Sequence, residues 1–462
     1  MYPKLPLLIL VVLCGCGCGR EPEPPPASKP KPKPPALIFG SLNEDAAKIY
    51  DSVTWKKEHL SEAVSEYLPP NLADRPELDR ALEEDKEGLS RLGRAARAVR
   101  CDWKPQRLDH FYDGPPIPGL LKGGKLLRGL IRRRMEQKRT EEAIEAFLVG
   151  MKVGTDYLRH PRLLEKLAGN IFIALMSDAF QSVTTPDSFD RLQLEFLDRH
   201  LAILPVAVPG AEKALMEERN CALASIDPLL NMGIWKAMQA IQGFTGPKTE
   251  SDWHRKIDEI LGKDRAASKE AISKSLNRVF SLMIEDARQP LNSREIRFNR
   301  DDFSNQITRG FTDWLLPEND DLSKGLPLAS DAVTLLFAPM HLKFRENIAL
   351  ARFRIEALHA WVRLQRIGLE KGSFPESLGG LTGIAKDPFD GGSIKYVSRS
   401  GPNRKFFVLT SAWPGGDWKE RVRELEEKCR FNLSSYRELS DTHDKAADMT
   451  WVGFLPASAS VK

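Results

Sequence analysis

Few stretches of this 462-residue chain set chemically capable residues at a spacing that chemistry needs. The segment GLLKGGKL (119–126) follows G-x-x-x-x-G-K, the opening of a phosphate-cradling loop. Leu126 stands where a Ser or Thr would hold magnesium, and DGPPIP (113–118) before it cannot be the buried strand that feeds such a loop. The segment therefore reads as a loop entering a basic helix, with no nucleotide bound. The eight histidines are scattered, and His341 and His359 lie 18 apart. His443 sits in DTHD (441–444), a loose group of metal-ligand types in what reads as a solvated tail. Neither H-E-x-x-H nor G-x-S-x-G occurs. The 64 carboxylates leave room for a catalytic pair without marking one. No cofactor-binding pattern is read.

The cysteines are the more informative residues. Lys4 and the amino terminus precede an apolar run from Leu5 to Leu13, and CGCGC (14–18) follows. The run is far short of the roughly 20 residues of a membrane span and has the size of a secretory signal core. CGCGC holds its sulfurs too close together to complete a tetrahedral metal shell alone. Leu13-Cys14-Gly15-Cys16 resembles the lipobox of bacterial lipoproteins, with an apolar residue three positions before the cysteine and a small one just before it. The resemblance implies cleavage before Cys16 and palmitate-type lipid attachment there. Cys18 is the alternative, with Gly15 at the apolar position, while Cys14 follows the bulky Leu13. An ordinary signal with incidental cysteines is the plainer reading of the same residues. REPEPPPASKPKPKPPA (20–36) then favours extended polyproline II, at about 3.1 Å per residue a spacer between a surface and a domain.

The net charge of +4, from 68 Lys+Arg against 64 Asp+Glu, argues against a nucleic-acid binder. A hydrophobic content of 42% over such a length is ample for a globular core. Cys101, Cys221 and Cys429 are far apart, and an oxidising compartment would allow one pair and leave one over.

From Ser41 to about residue 368 the pattern is helical almost throughout, and strand-like alternation is hard to find before 390. Ser41 and Glu44 have the spacing of a capping box. Residues 77–100 read as one long charged helix. Thr140 precedes Glu141 and Glu142, and Thr185-Pro186 marks another helix start. One-sided stripes run through Ile272, Leu276, Val279, Phe280, Met283 and Ile284, and through Phe344, Ile348, Ala351, Ile355, Leu358 and Val362. The second reads as a core-facing seam. KLLRGLIRRRMEQKR (125–139) is the strongest basic patch. Its leucines and Ile131 alternate with the basic residues as in a half-buried helix, whose outer face reads as solvated and would suit anionic lipid head groups or an acidic surface. After Gly372, IKYV and KFFVL read as two strands joined at SGPNR (400–404), residues 419–430 as a charged helix, and MTWVGFL (449–455) as a tail docked on the body.

Two further resemblances rest on named residues. CDW (101–103), the helix pair around residues 146–176 and the closing stretch 351–381 are similar to a group of uncharacterised exported bacterial helical lipoproteins. Residues 348–417 resemble the C-terminal part of type II secretion pseudopilins. The matching positions are Gly372, Phe374 and Pro375, then Asp387, Pro388, Phe389, Gly391 and Tyr396, then Phe407 to Ser411 and the loop holding Asp417. Some pseudopilins bind calcium near that last loop, so Asp387, Asp390 and Asp417 are implied as structural or calcium-turn residues. The lipid-type signal and the long intervening body argue against a filament subunit.

The expected protein is mainly α: an antiparallel helical array with a small C-terminal α+β module containing a β-hairpin. Residues 1–15 form the signal, 16–40 the lipidated cysteine and linker, 41–371 the helical domain, 372–418 the pseudopilin-like module, and 419–462 a helix and tail. The expected function is that of a lipid-anchored cell-envelope scaffold or binding module with a membrane and an envelope protein as partners, on the periplasmic side where an outer membrane exists. An exported hydrolase with a carboxylate site, and an accessory part of a secretion or pilus-like apparatus, are the alternatives.

Overall fold

The computed structural model describes residues 39–56, 76–103, 117–184, 188–204, 208–237, 252–289, 291, 298–315, 322–338, 341–380, 387, 389, 392–400, 405–411, 419, 423 and 450–455. The chain is mainly α, as its periodicity implies. The described residues open with a strand, β1 (Leu42–Asp45), and a helix, α1 (Ala46–Asp51). The cap expected at Ser41 is taken by Asp45, whose carboxylate accepts from Ala47 N at 3.2 Å. Residues 42–45 extend because they pair in parallel with β2 (Ala98–Arg100). Strands of three and four residues are too short to register as alternation, so both were hidden in the sequence.

The charged run 77–100 divides into α2 (Pro76–Glu84), α3 (Lys86–Ala96) and β2. The break falls at Asp85. Its buried carboxylate accepts from Lys56 N at 3.0 Å and lies 2.5 Å from Lys122 Nζ, itself buried. Breaking such a pair costs about 3–5 kcal/mol, against ~0.7 kcal/mol for helix propensity at one residue, so the pair decides.

Lys122 lies in α4 (Ile117–Glu136), and so does all of GLLKGGKL. The expected loop is therefore helix, and amides beyond its first turn are spent on intrahelical bonds rather than offered to a phosphate. Its glycines serve packing. A Cβ on Gly123 would lie 2.9 Å from the Trp55 ring, and one on Gly124 3.0 Å from Leu175.

The centre of the body is the hairpin of α5 (Thr140–Leu158) and α6 (Leu163–Val183), with α4 against both. Thr140 is the first helical residue of α5 and Arg139 precedes it as cap, while Glu141 and Glu142 occupy the first turn as expected. Next come α7 (Arg191–Leu201), α8 (Ala211–Ala224), α9 (Ile226–Met232), α10 (Asp252–Lys263), α11 (Arg265–Arg288), α12 (Arg300–Leu315), α13 (Leu322–Phe337) and α14 (His341–Lys371). Asp190 and Gln193 form a capping box on α7. Thr185-Pro186 lies outside the described residues. The stripe Ile272–Ile284 is buried, on a helix that packs against α8 and α13. The seam from Phe344 to Val362 is buried too, on a helix set against α6 and α7, so its core-facing reading holds.

At the C-terminal end, β3 (Lys395–Ser400) and β4 (Lys405–Thr410) form the expected antiparallel hairpin. The tail adds a third strand, β5 (Thr450–Phe454), on the far side of β4. Trp361 Nε1 of α14 donates to Val452 O at 2.9 Å, which fixes this sheet to the body. Gly372 ends α14 with φ of 65°, a left-handed value that favours glycine. No described helix is long and apolar enough to cross a membrane.

Helices α5 and α6 approach through glycines. A Cβ on Gly169 would lie 2.6 Å from Gly154 O and 2.8 Å from Leu158 N, both backbone atoms that cannot step aside. Gly169→Ala is therefore expected to lower stability by about 1–3 kcal/mol in urea unfolding. Gly379→Ala, whose Cβ would meet nothing closer than 3.7 Å, is expected to change it by less than about 0.5 kcal/mol. Equal effects would refute the close-packing account.

Candidate functional site: a charged cluster and a separate cleft

Two features of the body bring functional groups together. The first lies around the turn between α5 and α6. Asp156, buried near the end of α5, accepts from Tyr50 OH at 2.9 Å and lies 2.5 and 2.6 Å from Lys152 Nζ. Its backbone carbonyl accepts from Trp103 Nε1 at 2.8 Å. Burial raises the Asp156 carboxyl above its ordinary range despite Lys152 and Tyr50. His160, in the turn, packs its ring 4.6 Å from that of Trp103, and its Nδ1 accepts from Arg162 N at 3.2 Å. Burial, with Arg162 and Lys166 nearby, holds its imidazole well below the usual range.

The first turn of α6 meets α8. Glu165 is paired with Arg162, while its Oε2 has no hydrogen-bond partner and lies 3.8 Å from His160 Nδ1. Burial raises Glu165 also. Glu218 of α8, with part of its surface still accessible, accepts from Leu163 N at 2.9 Å and so caps α6. Desolvation among its neighbours, with the charge of Glu165 adding to it, pushes Glu218 up to about 7. Lys166 Nζ donates to Glu217 Oε2 at 2.9 Å and to Leu158 O at 3.3 Å, and burial lowers its pKa. Cys221, beside them, is pushed up to about 11 by burial and by Glu218. A group that exchanges a proton near 7 next to a histidine has the ingredients of acid–base chemistry. These groups are also the ones that hold three elements together.

The second feature is a half-open cleft of about 540 Å³. Helix α13 packs along both α11 and α12, which approach each other less closely than either approaches α13. The space between them is floored by Leu328 and Asp331 of α13. One wall carries Arg278, Val279 and Leu282 of α11; the other carries Asp302, Phe303, Gln306 and Ile307 along one face of α12, with Phe298 and Asn299 just before it. Asp331 accepts from Arg278 Nη2 at 2.8 and 3.0 Å and from Ser275 Oγ. None of the groups of the first cluster lines this cleft.

The residues singled out in the sequence are placed as follows. Asp387 is buried in a turn, where its carboxylate accepts from Phe389 N at 3.0 Å and from Ser411 Oγ at 3.0 and 2.8 Å. Tyr396 OH donates to Pro375 O at 2.6 Å, tying the hairpin beneath the end of α14. Cys16, Cys18, Asp390, Asp417, Cys429, His443 and nearly all of 419–430 lie outside the described residues. Cys101 and Cys221 are free thiols, unpaired with each other, and burial raises that of Cys101. No group of three or more His, Cys, Asp or Glu among the described residues is placed to hold a metal ion. His359 Nε2 meets Asp198 Oδ1 at 2.7 Å, and Arg366 Nη1 donates to Asp198 Oδ2 at 2.7 Å. Burial pushes Asp198 up, but His359, Arg366 and Arg363 outweigh it and hold the carboxyl below its ordinary value.

The basic patch is corrected. Arg132 is only 1% exposed and lies 2.9 Å from Asp178, which Arg128 also reaches at 3.5 Å. Arg133 meets Asp79 at 2.9 Å and Arg134 meets Glu142 at 3.1 Å. Residues 125–135 are buried or half-buried and these acids take up the charges of Arg128, Arg132, Arg133 and Arg134, while 136–139 remain exposed.

No protein-family model, curated protein or solved structure matches the chain.

The sequence marked none of Glu165, Glu218 or Asp302. The visible signal for the cleft was the spacing of Asn299, Asp302, Phe303 and Gln306, which puts them on one helical face.

Glu218 gives a test of the cluster. Its carboxyl keeps a proton up to about 7 when folded, against 4.5 ordinarily, so protonation favours the folded chain. This contribution is full below 4.5 and is lost as pH rises through about 7. Glu218→Gln keeps an acceptor for Leu163 N and does not ionise. Relative to wild type it is expected to gain on the order of 1–3 kcal/mol between about pH 4 and about pH 8 in denaturant unfolding. Parallel pH profiles for the two proteins would disprove the assignment.

Proposed function

We propose that this chain is a lipid-anchored cell-envelope protein that works as a non-catalytic binding module or scaffold. The observation that carries the reading is Leu13-Cys14-Gly15-Cys16 at the end of the apolar run, the pattern of a lipoprotein signal. Lipid on Cys16, or on Cys18, holds the chain on a membrane, and the Pro-rich linker spaces the helical body from it. The body supports the binding half of the reading. Catalysis needs shifted acids and bases in a cavity that admits substrate. Here the cleft lies among α11, α12 and α13, while Asp156, His160, Glu165 and Glu218 lie among α5, α6 and α8.

A hydrolase is the second reading, favoured by Glu218 and Glu165 beside His160. Against it, the carboxylates are already engaged as a helix cap and as partners of Arg162. The apparatus reading rests on the pseudopilin resemblance, to which the turn at Asp387 and the bond from Tyr396 to Pro375 give local support.

Metabolic labelling with an alkyne fatty acid tests the anchor. The full chain is expected to take up label in a bacterial host, and Cys16→Ser to lose it and leave the membrane fraction. Loss in Cys18→Ser instead would move the attachment to Cys18. An exported chain that takes up no label would refute the anchored reading.

A further inference from the structure

We propose that the cleft between α11 and α12 binds a short extended peptide that presents one basic side chain among apolar ones. The proposal deepens the binding-module reading and rests on it.

Shape sets the first limit. A cleft of about 540 Å³ falls within the roughly 300–1,000 Å³ that ligand sites occupy. Its lining from Asn299, at the entry to α12, to Ile307 spans about 12 Å at ~1.5 Å per residue. That matches three to four residues of extended chain at ~3.3 Å each. Gly310 holds the floor in place, since a Cβ there would lie 2.5 Å from Leu328.

Charge sets the second limit. Asp331 is already neutralised by Arg278. Asp302, exposed at the mouth, has neither an ion pair nor a side-chain hydrogen bond among the described residues, so the described lining keeps one uncompensated negative charge. Phe303 adjoins it, and the guanidinium of Arg278 lies 5.7 Å from the ring centroid, so one aromatic face already faces a cation. A Lys or Arg side chain entering the mouth would complete Asp302 and lay its methylenes along the apolar lining.

Side-chain amides favour a peptide over a simple amine. Among the described residues the Gln306 side chain has no hydrogen-bond partner, and Asn299 uses only its carbonyl oxygen, toward Asp301 N. The two are seven residues apart on the face that carries Asp302. Each offers the donor that a backbone carbonyl needs, and Gln306 also offers an acceptor for a backbone N–H.

The test uses the purified full chain and fluorescein-labelled, end-blocked peptides of sequence Leu-Leu-Xaa-Phe-Leu-Gly, with Lys, norleucine or Glu at Xaa. Fluorescence anisotropy reads affinity. The Lys peptide is expected to bind about tenfold tighter than the Glu peptide. Asp302→Asn is expected to shrink that ratio to less than about twofold while leaving the unfolding midpoint unchanged, because the side chain is exposed. Gln306→Trp, also at an exposed position, is expected to fill the mouth and weaken all three peptides. No binding at about 1 mM, or equal affinity for Lys and Glu, would overturn the proposal. Octylamine competing as well as the Lys peptide would overturn it too, and would assign the cleft to small amines. Fatty-acid labelling is read independently, so failure of the cleft leaves the anchor standing, and failure of the anchor leaves the peptide affinities unaffected.

Discussion

Gly169 rests on the carbonyl of Gly154, and the rest of the body follows from that contact. Where two helices lack side chains at their crossing, the backbone of one can lie directly against that of the other. The approach of α5 and α6 leaves only residues 159–162 to turn the chain. That tight turn buries His160 against Trp103 and points the amide of Leu163 toward α8. Tyr50 and Trp103, from the N-terminal segments, reach the same end of α5 through Asp156. One steric constraint thus gathers three parts of the chain far apart in sequence.

The body is fastened by charges placed where mispairing would be costly. Lys122 of α4 meets Asp85 at the α2–α3 break, and Arg132 of α4 meets Asp178 of α6. Lys166 of α6 meets Glu217 of α8, and His359 and Arg366 of α14 meet Asp198 of α7. Each tie joins different elements. A buried charge without its partner costs about 3–5 kcal/mol, a large share of the ~5–15 kcal/mol that holds a domain folded. Apolar contacts tolerate a slipped helix far better than these pairs do. The shifted acids and the depressed histidine of the α5–α6 turn belong to the same device, since desolvation is the main cause of every one.

Helices were legible where a face repeats: Ile272 to Ile284 and Phe344 to Val362 are buried as their spacing implies. The hairpin was legible because apolar runs and turn residues mark it locally. Features made by distant partners were not. Asp85 interrupts a helix for the sake of Lys122, 37 positions away, and nothing near 85 announces it. GLLKGGKL misled because the glycines that spare room for a phosphate also spare room for Trp55 and Leu175. The basic run 125–139 misled because its counter-charges, Asp79, Glu142 and Asp178, come from three other helices. The candidate cleft was half legible, since the α12 face is a local pattern while its floor and far wall come from α13 and α11.

Why the cleft stays open follows from what its helices lack and what they share. Gly310 lets Leu328 fit tightly between α12 and α13, which fixes one edge. Pro327, inside α13, deprives that helix of one amide hydrogen bond beside the same contact. On the other edge, Asp331 is held by Ser275 and Arg278 of α11, so α13 is tied to both neighbours by independent contacts. Closing the cleft would pull Leu328 from its seat or stretch the Asp331 pair, and nothing in the lining compensates for either. A groove whose own floor is tied to both walls is preorganised, so a ligand need not supply the free energy of opening it. That rigidity, more than the apolar area within, is what qualifies this part of the fold for binding.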